Sequence, residues 1–78
     1  MIYTVLKNNG WGGFHDEGEF DTLRKARAYC KAMTKGKEKV EGTKQSGRSV
    51  FWFEIYKGEV EIDGEDAYPI ETTDEYYV

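Results

Sequence analysis

Ser49-Val50-Phe51-Trp52-Phe53-Glu54-Ile55-Tyr56 is the densest run of β-branched and aromatic residues in the chain, and it reads as a strand. Alternation puts Phe51, Phe53 and Ile55 on one face and Val50, Trp52, Glu54 and Tyr56 on the other. Both faces are mainly apolar, as expected of a central strand or of one with an aromatic surface.

Upstream of this strand the period changes. Leu23, Ala26, Cys30 and Met33 recur at spacings of 3, 4 and 3, with Tyr29 beside them, which predicts a helix. Asp21 or Thr22 can cap its first amides, and Gly36 ends it. At about 100° per residue those four fall in one arc, and Arg24, Arg27, Lys31 and Lys35 fall in a second arc displaced by roughly 125°. The basic stripe is therefore expected to face solvent. Lys37–Gly47 holds Val40 as its one substantial apolar residue, the composition of a mobile loop.

Downstream, Lys57-Gly58 reads as a turn, and Glu59-Val60-Glu61-Ile62-Asp63 alternates as a return strand with Val60 and Ile62 inward. Its outward carboxylates suit a sheet edge, where charge suppresses pairing with other chains. Tyr68-Pro69-Ile70 adds a short extended piece. At the front, Met1–Leu6 reads as a first strand and Asn8-Asn9-Gly10 as its turn, with a return arm from Trp11 to about Phe14 weakened by Gly12 and Gly13. The sum is an α+β domain over residues 1–70, a small antiparallel sheet (ββαββ or βαββ) with one helix packed across one face, and an acidic polar tail over 71–78.

At 78 residues a single core supplies little net stability and leaves little room for an enclosed active site. An aromatic content of 15% compensates in part, because each ring buries a large area. The one cysteine, Cys30, forms no internal disulfide, and the opening Met1–Leu6 is too short for a membrane span and lacks a basic leader. A cytoplasmic protein is expected.

Charge is sorted along the chain. Residues 22–48 carry nine Lys/Arg against Glu38 and Glu41, and residues 54–78 carry nine Asp/Glu against Lys57, so a net charge of −4 conceals a middle of +7 and an end of −8. Such a dipole steers and selects charged partners.

The apparent chemical motifs reduce to turns and loops. Gly42-Thr43-Lys44-Gln45-Ser46-Gly47-Arg48-Ser49 imitates a phosphate-binding loop, but it follows a helix and opens a strand, the reverse of what phosphate binding at a helix N-terminus needs. Gly10-Trp11-Gly12-Gly13 lacks the spacing of a dinucleotide fingerprint and reads as turn chemistry. His15-Asp16-Glu17-Gly18-Glu19 and Asp63-Gly64-Glu65-Asp66 lack the spaced ligand sets of metal sites. Cys30 falls in the apolar arc, and His15 is the sole histidine that could serve it as base. No catalytic residue, metal or cofactor is expected.

Binding is the better reading. Arg24, Arg27, Lys31 and Lys35, continued by Lys37, Lys39, Lys44 and Arg48, can contact phosphates, and Trp52 and Tyr56 can offer stacking faces. The bland alternatives are an ordinary solvated helix and aromatics packed beneath it. Glu59, Glu61 and Asp63, with the other acids of the end, can imitate a phosphate track or simply keep an edge soluble. The two poles can also dock on each other, within one chain or between chains.

The strand Ile2–Leu6, the helix Thr22–Lys35 and the paired strands Val50–Tyr56 and Glu59–Asp63, all within so short a chain, resemble small phage-encoded accessory proteins, including anti-CRISPR inhibitors. The resemblance covers most of the chain and is one of architecture and size. It implies a non-enzymatic protein that blocks a host defence nucleoprotein complex in the bacterial cytoplasm. The expected contacts are Arg24, Arg27, Lys31 and Lys35, with Glu59, Glu61 and Asp63 as the acidic counterpart. The alternative is a direct nucleic-acid binder using the basic helix and loop.

Overall fold

The computed structural model describes residues 1–59 and 68–78. Strand β1 spans Tyr3–Asn9, β2 Phe14–Phe20, helix α1 Leu23–Thr34, β3 Val50–Lys57, β4 Glu71–Thr72 and β5 Tyr76–Tyr77. They form the expected α+β arrangement, one helix against a small antiparallel sheet of order β2-β1-β3-β4, with β5 also on β3.

The aromatic run is indeed central. On one side β3 pairs with β1, Val5 opposite Ile55 and Lys7 opposite Phe53. On the other it pairs with β4 and β5 through Ile55–Glu71 and Phe51–Tyr76. Its Phe51, Phe53 and Ile55 join Val5 under Ala26 and Cys30 of α1, with Tyr3, Phe20, Leu23, Tyr29 and Tyr76 around them. Tyr29 meets Phe53 edge-on at 6.1 Å and Phe20 at 5.2 Å, geometries that favour aromatic pairs.

Thr22 caps α1, its hydroxyl accepting from the Lys25 amide at 3.1 Å. Gly36, at φ 80°, follows the helix in the left-handed region that glycine adopts at least cost. Met33, expected in the buried arc, is 42% exposed. The core is closed by Leu23, Ala26, Tyr29 and Cys30, so the last turn extends beyond it.

Three further expectations are corrected. The return arm of the hairpin is Phe14–Phe20 rather than Trp11 to Phe14, because Trp11–Gly13 are spent on the turn. Polar residues dominate β2 since it is an edge strand with its outer side in water. Residues 71–78, read as a polar tail, supply β4 and β5, and Tyr77 is only 4% exposed. Thr73, between these strands, accepts from the Phe53 amide through its hydroxyl at 3.0 Å and donates its own amide to the Phe53 carbonyl at 2.9 Å. The second side of β3 is occupied by β4 and β5. Of the return strand expected over Glu59–Asp63, Glu59 is in no strand and 60–63 lie outside the described residues. The Lys37–Gly47 loop is also fastened, through Val40 amide to Glu75 carbonyl at 2.9 Å and Tyr77 amide to Glu38 carbonyl at 2.9 Å.

Candidate binding surfaces

Helix α1 presents Arg24, Arg27 and Lys31 to solvent, and Lys35, also exposed, is its C-cap with extended backbone. They are not equivalent. Arg27 is engaged by Glu71 of β4: Nε lies 2.8 Å from Oε1 and 2.9 Å from Oε2, and the terminal nitrogen Nη2 completes the fork on Oε1. The fork raises the Arg27 pKa and lowers that of Glu71. Lys25 is paired with Asp21 at 2.9 Å, an i,i+4 pair that holds the Asp21 carboxyl below its usual range. Arg24, Lys31 and Lys35 make no ion pair among the described residues. The usable cationic surface is thus narrower than the stripe of sequence.

The remaining basic residues are shared between uses. Lys39 meets Asp74 at 3.3 Å, and Arg48 meets Glu38 at 2.5 Å while its guanidinium stacks 3.7 Å from the Tyr77 ring centroid. The two charge poles are therefore partly docked on each other within one chain. Between α1 and the β4–β5 segment lies a cleft of about 320 Å³ lined by Arg27, Lys31, Thr34, Glu71 and Asp74, with Cys30 at its wall. Burial pushes the Cys30 thiol up to about 11, so it is a protonated, unreactive packing group at neutral pH.

Of the acidic residues expected to make contacts, Glu59 is exposed, and Glu61 and Asp63 lie outside the described residues. The expected stacking pair fails as a pair. Tyr56 is 8% exposed and donates its hydroxyl to Glu54 Oε1 at 2.9 Å, while Trp52 is half-buried. Both alternate with the helix-covered Phe51, Phe53 and Ile55, which puts them on the face away from α1.

Two features escaped the sequence reading. Trp11 and Phe14, in and just after the hairpin turn, are 83% and 52% exposed. The Gly-Trp-Gly-Gly run is the signal that could have marked them, since glycines flanking a Trp leave it no neighbours to pack against. The second is a hydrogen-bonded chain from His15 Nδ1 to Glu17 Oε2 at 2.5 Å and from Tyr29 hydroxyl to Glu17 Oε1 at 2.8 Å. A bulge creates it: Gly18 opposes Val5 and Asp16 opposes Leu6, leaving Glu17 as the extra residue and turning it toward α1. Burial works against the Glu17 charge, but the bonds from Tyr29 and His15, with Lys7 nearby, hold its carboxyl below the usual range. Burial and the same bond push Tyr29 up to about 12.

The phosphate-loop imitation runs directly into β3, with Gly42 and Gly47 at positive φ. No group of three His, Cys, Asp or Glu able to hold a metal ion occurs among the described residues, and none of their helices is long and apolar enough to cross a membrane. Comparison with protein-family models, with curated proteins and with solved structures finds no match to this chain.

Proposed function

We propose that this protein is a non-enzymatic binding protein that inhibits a host defence nucleoprotein complex of the CRISPR type, in the bacterial cytoplasm, by occupying one of its surfaces. One observation carries the choice of surface: Arg24 and Lys31 on α1 and Lys35 at its C-cap stand exposed and without a carboxylate partner among the described residues, with the helix packed on the sheet through Ala26 and Cys30. A rigid row of unneutralised cations favours fast, charge-guided association with an anionic surface at little ordering cost. The architecture-level resemblance to small phage-encoded inhibitors supplies the class of target. Arg27 is reassigned to an internal pair, and Glu59 remains as an exposed acidic contact.

The test is capture of a purified CRISPR-type effector complex on the immobilised protein at about 0.15 M salt, where clustered charges still act within about 8 Å, with and without nuclease. Retention that survives nuclease, inhibits target cleavage and disappears in Arg24→Glu/Lys31→Glu/Lys35→Glu is expected. Retention lost with nuclease would replace this reading by direct nucleic-acid binding through the same helix and loop, and no retention by any effector type would refute it.

A further inference from the structure

The tip of the β1–β2 hairpin is built to display an aromatic ring. Asn9 Oδ1 accepts from the Trp11 amide at 2.8 Å and the Gly13 amide at 2.9 Å, and the Asn9 amide donates to the Gly13 carbonyl at 3.2 Å. Gly12 sits at φ 80°, and a Cβ on Gly13 would lie 2.6 Å from Asn9 Nδ2. The turn thus needs its glycines and its asparagine, and it fixes the backbone from which Trp11 projects. An exposed ring held on a fixed backbone loses little entropy on binding.

Behind Trp11 lies an open cleft of about 600 Å³ with Phe14, Val50, Phe51 and Val78 as its apolar lining. Its cation, Lys7, places Nζ 4.8 Å from the Phe51 ring centroid, and Lys44 Nζ comes within 3.8 Å of where a Cβ on Gly10 would stand. The one carboxylate side chain among the lining residues, Glu17, is already committed to His15 and Tyr29.

Exposed rings beside ammonium groups are the two components that hold an unpaired nucleotide: a π-face for the base and a cation for the phosphate. We propose that the hairpin tip binds single-stranded nucleic acid, one base stacking on Trp11 and Phe14 and the flanking phosphates meeting Lys7 and Lys44. The site is separate from the α1 surface and does not depend on the function assigned to it. Stacking of this kind tolerates any base, so the site reads strandedness rather than sequence.

The experiment is titration of the full chain with a 15-nucleotide oligothymidylate at low salt, following tryptophan fluorescence in the parent protein and the anisotropy of a fluorescein label on the oligonucleotide in every variant, beside an abasic phosphodiester of equal length. Saturable quenching is expected, weakened about ten-fold or more by Trp11→Ala and by removal of the bases. Since Trp11 is 83% exposed, that variant keeps the fold. Lys7→Gln/Lys44→Gln should flatten the slope of log K against log salt by about 1.4, the value for two phosphate contacts on a single strand. Absence of quenching, equal binding by Trp11→Ala, or equal binding of the abasic polymer would each overturn the proposal. So would loss of quenching in Arg24→Glu/Lys31→Glu/Lys35→Glu, which would move the contact to the helix. Loss of effector inhibition in Trp11→Ala, where the parent protein itself does not bind the oligonucleotide, would make the ring a protein anchor instead, and would also overturn it.

Discussion

Arg27 and Glu71 join the basic middle of the chain to its acidic end through a forked ion pair across the α1–β4 cleft. The Arg27 side chain is 57% exposed, so solvent and salt screen the pair and its contribution to stability is small. Arg27→Met and Glu71→Gln should each lower Tm by less than about 5 °C at low salt, with the double variant no worse than the larger single effect. At 1 M salt, where the Debye length is about 3 Å, the coupling should vanish. A large, salt-independent loss would show that the fork holds the β4 edge in place by geometry rather than charge.

Glu54 has the opposite character. Its Oε1 accepts from Asn8 Nδ2 at 2.8 Å and from the Tyr56 hydroxyl at 2.9 Å, and both donors belong to buried residues, Asn8 4% and Tyr56 8% exposed. Glu54→Ala strands both donors and should cost about 2–4 kcal/mol in urea unfolding. Tyr56→Phe removes one donor, leaves Glu54 with Asn8, and should cost about 1 kcal/mol. Equal losses in the two variants would show that Glu54 is not the centre of the network.

The helix, its cap and the central strand were legible because each has a strong local period: Leu23, Ala26 and Cys30 repeat as a helix, and Phe51, Phe53 and Ile55 alternate as a strand. β2 and the β4–β5 segment were not, since their order is imposed by neighbours rather than by their own pattern. His15-Asp16-Glu17-Gly18-Glu19 has the composition of a loop, yet β1 offers it a ladder, and the bulge at Glu17 breaks any alternation that could have shown through. Glu71 is half-buried and Thr72 exposed on the edge strand β4, and only the pairing with Glu54 and Ile55 makes them a strand. For the site, the basic stripe could be read but its depletion by Glu71 could not, because residues 27 and 71 are brought together by topology alone.

Tyr77 tests the role of the C-terminal segment. It is 4% exposed, its ring lies under the Arg48 guanidinium, and its hydroxyl accepts from the Gln45 amide at 3.0 Å. Tyr77→Ala should cost about 3–5 kcal/mol, the range for removing a buried aromatic, which is most of the stability expected of so small a domain. The Lys37–Gly47 loop should then be cut by trypsin far sooner than in the parent protein. A Tyr77→Ala variant with unchanged Tm would mean that the segment rests on the sheet without supporting it.

Stability should form a plateau near neutrality with a limb on each side. On the acid side the carboxyls of Glu17, Asp21 and Glu71 are held below their unfolded values. Their contribution is fully present above about pH 5 and is lost as pH falls through their folded-state values, so Glu17→Gln should flatten this limb. On the alkaline side the Cys30 thiol is pushed up to about 11 and the Tyr29 and Tyr56 phenols to about 12, each chiefly by burial. Because these groups ionise more readily unfolded, their neutral forms favour the fold up to about pH 8, and stability falls between about pH 9 and 12. Tm measured across this range should show a shallower alkaline limb in Tyr29→Phe and Tyr56→Phe, even where the plateau itself is lowered by the lost hydrogen bond. An alkaline limb of unchanged steepness in both variants would place the titrating groups elsewhere and contradict the burial of these two phenols.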